Sequence, residues 1–168
     1  NTASFMQMAL EYTDVITTVS PRYAEEIQTP AFGCDLDRLL EIRQDALHGI
    51  LNGVDYQVWS PDSDEHLAYM YNSHKLYQKD KNKMALQERL GLEVRADVPL
   101  CCMLTRMSWQ KGLDLILPLL PEWVEKGWQF AIIGSGEHNL EQGFLSVAAR
   151  YPKQIAAKIG YEEDEAHR

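Results

Sequence analysis

The chain has 168 residues, 45% hydrophobic and 24% charged, a composition that supports a packed globular core. A net charge of -9 argues against non-specific binding to nucleic acid or an anionic membrane, and no run is long and apolar enough to cross a bilayer or reads as a signal peptide. Cys34, Cys101 and Cys102 form no disulfide framework, which points to a reducing compartment.

The chain opens in what reads as mid-helix, with Phe5, Met8, Ala9 and Tyr12 as a helical stripe, and it reads as a piece of a longer protein. Residues 14–19 are β-branched and predict a strand. Ser20 followed by Pro21 predicts an N-cap and first helical position, opening a short helix to Ile27. Leu36, Leu39, Leu40 and Arg43 mark another short helix. Ile50 and Leu51 suggest a short strand, with Asn52 and Gly53 as a tight turn. The turn-rich stretch from Trp59 to Asp64 reads as a crossing between two packing units. A polar helix over 75–90 stops at Gly91, with Lys79, Lys81 and Lys83 on a solvated face.

From Pro99 the pattern becomes strand, helix, strand, helix, strand: strands over 99–104, 128–133 and 155–159, with Cys101 and Cys102 as core or near-core thiols. Alternation of this kind predicts an α/β fold with a parallel sheet. The first strand runs into a loop carrying Arg106 and Lys111. Leu113, Ile116, Leu117 and Leu120 then predict a helix. Two cations on a strand-to-helix turn suit a phosphate or diphosphate, although the same residues also fit a solvated loop. The second strand ends in Gly134-Ser-Gly-Glu137, where glycine lets backbone approach a ligand closely. No GxGxxG is completed, so a dinucleotide fingerprint is not supported. Ligands of open α/β sheets bind beyond the carboxyl ends of the strands, which puts Arg106, Lys111, Gly134, Gly136 and Tyr161 on one rim. No His/Cys/Asp/Glu spacing reads as a metal site.

Five stretches, in order, resemble the glycogen and starch synthases: Thr17-Thr-Val-Ser-Pro-Arg-Tyr-Ala-Glu-Glu-Ile27; Gly49-Ile-Leu-Asn-Gly-Val-Asp55 with Trp59-Ser-Pro61; Arg106 with Gln110-Lys-Gly112; Gly134-Ser-Gly-Glu137; and Gly160-Tyr-Glu162. The resemblance implies part of a GT-B arrangement. Residues 1–48 would end an N-terminal Rossmann-like domain, 49–64 cross between domains, and 65–168 begin the nucleotide-binding domain. It implies a retaining glucosyltransferase that moves glucose from ADP-glucose, or UDP-glucose, to an α-1,4-glucan, in a bacterial cytoplasm or plastid stroma and without a metal or other cofactor. Arg106 and Lys111 would hold the diphosphate, Tyr161 the base and Asn52 the donor sugar, with Gly134 and Gly136 beside the nucleotide. Asn52 can also be read as a turn former, Tyr161 as core packing, and Glu137 as a carboxylate complementing a helix dipole. The family's Lys-x-Gly-Gly segment and its later acidic motif do not occur, so no synthase activity is expected of this stretch alone. Other expectations stay open: another nucleotide-sugar GT-B transferase, a general nucleotide-binding domain, or a non-catalytic nucleotide- or glucan-associated module.

Overall fold

The computed structural model describes residues 4–160 and 163–168, in two compact units that divide after Asp55. In the first, α1 (Phe5–Tyr12), β1 (Ile16–Thr18), α2 (Pro21–Glu26), α3 (Asp37–Ile42) and β2 (Leu47–Gly49) follow one another. The two strands pair in parallel, Ile16 opposite Leu47, and bury those side chains with Ala24 and Leu40. Ser20 caps α2 as expected, its Oγ accepting from the Tyr23 N–H at 3.1 Å. The second strand lies earlier than expected, because Leu47 is the buried side chain while Ile50 and Leu51 are exposed. Asn52 and Gly53 form no assigned turn. The α1 stripe also differs: Phe5 and Tyr12 are exposed, and Leu10 packs on the core instead. Arg43 fixes the end of this helix, its guanidinium donating to the carbonyls of Leu10 (2.9 Å), Glu11 and Thr13 (2.5 Å).

The second unit carries α4 (Tyr77–Arg89), β3 (Leu100–Leu104), α5 (Leu113–Ile116), α6 (Leu120–Glu125), β4 (Gln129–Gly134), α7 (His138–Arg150), β5 (Ile155–Ile159) and α8 (Glu163–His167). The sheet is parallel, in order β3-β4-β5. Central β4 is buried at every residue. β3 is not the buried strand its composition suggests: with one neighbour, it leaves Cys102 and Leu104 exposed. Phe130, Ile132 and Ile155 meet Leu113 and Leu120 on one side and Leu140 and Phe144 of α7 in a single core. The expected helix after Lys111 is interrupted by a 3-10 turn, Leu117–Leu119. Pro118 and Pro121 lack the N–H groups that an unbroken helix would need.

Helix α4 stops as expected. Gly91 adopts φ 73, and the N–H groups of Leu92 and Gly91 return to the carbonyls of Gln87 and Glu88, at 2.9 and 3.1 Å. Lys83 departs from the solvated face, its ammonium donating to the carbonyls of Ala96 (2.9 Å) and Val98 just before β3. Fully buried Gln87 donates to Gln129 Oε1 at 2.5 Å, and Gln129 to the Glu93 carbonyl at 2.7 Å, so the polar pair is satisfied. Trp59 stacks on His167 with ring centroids 3.8 Å apart, and His167 Nδ1 meets Asp64 Oδ2 at 2.7 Å. The turn-rich stretch 59–64 is thus bound into the second unit.

Candidate functional site

Pairing between β3 and β4 continues past the strand ends. Thr105 N–H donates to the Ile133 carbonyl (3.1 Å), Met107 N–H to Ser135 (2.8 Å) and Glu137 N–H to Met107 (2.7 Å). Met107 pairs with Gly136 in an isolated parallel bridge and is fully buried. Side chains alternate along extended backbone, so burying Met107 turns its neighbour Arg106 outward. The glycines have a structural reason. A Cβ on Gly134 would lie 1.9 Å from the Thr105 oxygen, and one on Gly136 2.1 Å from the Met107 oxygen. The close approach they permit is to the neighbouring loop. Gly160 N–H donates to the Gly134 carbonyl at 2.9 Å, joining the end of β5 to the same rim.

Leu104, Thr105, Arg106, Ile133, Gly134, Ser135 and Gly136 line a cleft of about 520 Å³ at these strand ends, within the range of small-molecule sites. Arg106 is its charged group. Lys111 lies five residues on, exposed, at the end of the 3-10 turn Trp109–Lys111. Gly112 follows with φ 69 as N-cap of the four-residue α5. So short a helix supplies less field to an anion than the long one the periodicity suggested. Neither cation has an ion-pair partner among the described residues. Ser108 Oγ, between them in sequence, is buried and without a hydrogen-bond partner among the described residues.

Two carboxylates that sequence reasoning did not place at this site complete it. Glu137, the N-cap residue of α7, turns its side chain away from its own helix, and Oε1 accepts from the Trp109 N–H at 2.9 Å. Glu141 Oε1 accepts from the Gly136 N–H at 2.8 Å. The signal for the first was the parallel register. Leu104 opposite Ile133 and Met107 opposite Gly136 share one offset, which sets residue 137 beside the 108–109 segment. The fold therefore brings Arg106, Gly134 and Gly136 together, with Lys111 on the same loop. Asn52 is exposed in the other unit. Tyr161 lies outside the described residues. Among the described residues, no group of three or more His, Cys, Asp or Glu could hold a metal ion, and no helix is long and apolar enough to cross a membrane.

A parallel α/β sheet with cations beyond its strand ends is compatible with a GT-B glycosyltransferase domain. The solved catalytic domain of starch synthase IV from Arabidopsis thaliana, bound to ADP and acarbose, superposes with a TM-score of 0.89 and 31% identity, over 96% of this chain and 34% of that one. Along its whole length the chain is related to the glycogen and starch synthases. It is 49% identical to the glycogen synthase of Paramagnetospirillum magneticum over all of its residues, and 50% identical to that of Cellvibrio japonicus over 98% of them. Residues 1–42 match the family model of the starch synthase catalytic domain. The chain spans about a third (34%) of the length of these curated relatives.

Proposed function

We propose that this chain contributes the diphosphate-binding part of a retaining glucosyltransferase that moves glucose from ADP-glucose to the non-reducing end of an α-1,4-glucan. The observation that carries this reading is Arg106, without an ion-pair partner among the described residues, in the cleft at the ends of β3 and β4. Near-half identity to bacterial glycogen synthases supports it, as does the ADP held by the Arabidopsis enzyme. As the anomeric bond breaks, negative charge gathers on the departing diphosphate. Arg106 and Lys111 would stabilise that charge, and cations already in position lower the barrier without reorganising. The Gly134 to Gly136 backbone would lie along the nucleotide, Tyr161 would pack on the base and Asn52 would lie near the donor sugar. Residues 1–48 are assigned to the end of an N-terminal domain, 49–64 to the crossing and 65–168 to part of the nucleotide-binding domain. The division after Asp55 falls inside that crossing. A bacterial cytoplasmic setting goes with the relatives.

A chain a third as long as its relatives is proposed to bind nucleotide without sustaining glucan extension. Calorimetry with ADP tests the reading. Removing a charge-assisted contact by Arg106→Ala or Lys111→Ala is expected to weaken ADP at least about tenfold, with UDP bound more weakly than ADP. Equal ADP affinity in both variants would remove the diphosphate assignment. Turnover of labelled ADP-glucose into glucan by the 168-residue chain would remove the claim of inactivity.

A further inference from the structure

The geometry points to Glu137 as the residue that positions the two cations, a role that rests on the diphosphate reading above. Glu137 grips the β3–α5 loop at two points. Its N–H donates to the Met107 carbonyl at 2.7 Å, and its carboxylate receives the Trp109 N–H at 2.9 Å. The first point lies one residue after Arg106, and the second lies two before Lys111. The rest of the turn is held by bonds that travel with it: Lys111 N–H to the Ser108 carbonyl (3.0 Å) and Gly112 N–H to the Trp109 carbonyl (2.9 Å). Trp109 is 73% exposed, so its ring does not anchor the turn by packing. The Glu137 carboxylate is therefore a side-chain link between the Trp109 end of the turn and the start of α7, while buried Leu113 anchors the chain after Lys111.

A carboxylate this near would repel a bound diphosphate. Position and charge thus act with opposite signs, and substitution separates them. Gln at this position keeps an oxygen able to accept from Trp109 but carries no charge. Ala keeps neither.

The test combines ADP calorimetry on the 168-residue chain with amide hydrogen exchange at Trp109 in the absence of ligand. Glu137→Ala is expected to release the Trp109 amide to exchange and to weaken ADP about tenfold, the scale of one hydrogen bond to a charged group. Glu137→Gln is expected to keep the amide protected and to bind ADP at least as tightly as the unsubstituted chain, since it loses only the repelling charge. Matched far-UV circular dichroism of the three proteins confines the effect to the loop. Tighter ADP binding in both variants means that the carboxylate acts only as a nearby charge, and it overturns the inference. So does unchanged Trp109 exchange in Glu137→Ala. Lys111→Ala keeps the two failures apart. Weakened binding there beside unchanged binding in Glu137→Ala defeats the positioning role alone. Absent ADP binding, or binding indifferent to Lys111, defeats the diphosphate reading and this inference with it.

Discussion

Gly134→Ala separates two reasons for a glycine at the end of a strand. If the residue is glycine so that a ligand can come close, alanine harms ADP binding and leaves the ligand-free protein intact. The geometry predicts otherwise. The new Cβ would lie 1.9 Å from the Thr105 oxygen, whereas real Cβ atoms essentially never come within 3.0 Å of a neighbour, so the loops must part by about 1.1 Å. The Thr105 N–H to Ile133 bond, now 3.1 Å, cannot survive that shift. Overpacking plus one lost backbone hydrogen bond costs about 2–4 kcal/mol. All four tryptophans (Trp59, Trp109, Trp123, Trp128) lie in the second unit, so intrinsic fluorescence in urea follows that unit alone. With a slope of about 2 kcal/mol per molar urea, the midpoint should fall by about 1–2 M without ligand. An unshifted midpoint in Gly134→Ala with impaired ADP binding would refute the packing argument and restore the ligand as the reason for the glycine.

Arg43→Met removes the guanidinium donors from the carbonyls of Leu10, Glu11 and Thr13 while keeping much of the aliphatic stem. A loss of about 2–3 kcal/mol from the first unit is expected, read as faster thermolysin cleavage near residues 11–15; an unchanged rate would show that the contact contributes nothing. Glu165, buried, accepts from Arg89 Nε (2.9 Å) and Nη2 (2.7 Å). That hydrogen bond outweighs burial and, with the nearby charges of Arg89 and Lys158, holds its carboxyl below the usual range. A lowered folded-state pKa gives stability that is present above the unfolded value of about 4.3 and lost as pH falls through the lower folded one. Glu165→Gln should therefore flatten the acid limb of the second unit's stability curve below about pH 4. An identical limb would show that other carboxylates carry it.

The order of elements up to β5 was legible because each carries a local signal. β-Branched and apolar runs marked the strands, β2 a few residues late, Ser20 and Pro21 opened α2, and Gly91 closed α4. β5 falls on the residues its apolar run predicted, Ile155–Ile159. The break between α5 and α6 was written in Pro118 and Pro121 and was masked by the leucine spacing around them. Polar groups that act across the chain left no such trace. Arg43 reaches carbonyls about thirty residues earlier, Gln87 meets Gln129, and Lys83 ties down the carbonyls ahead of β3. Each is a charged or amide side chain on a helix or beside one, and a periodicity argument assigns such residues to solvent.

At the candidate site the cations were legible as strand-end residues, and their surroundings were not. The difference lies in where the acids go. Some cations of the second unit, such as Lys83 on the Ala96 and Val98 carbonyls, are held by neutral groups, while others are matched by carboxylates, Arg89 by Glu165, Arg95 by Asp97 and Lys126 by Glu122. In a chain of net charge -9, a cation near two glutamates would ordinarily be neutralised in the same way. Glu137 and Glu141 are instead held on backbone N–H groups, those of Trp109 and Gly136. Each satisfies a donor of the loop, and neither forms an ion pair with a side-chain cation among the described residues. Arg106 and Lys111 keep their charge uncompensated by any ion pair among the described residues, which is the condition an anion-binding pair must meet before a diphosphate arrives.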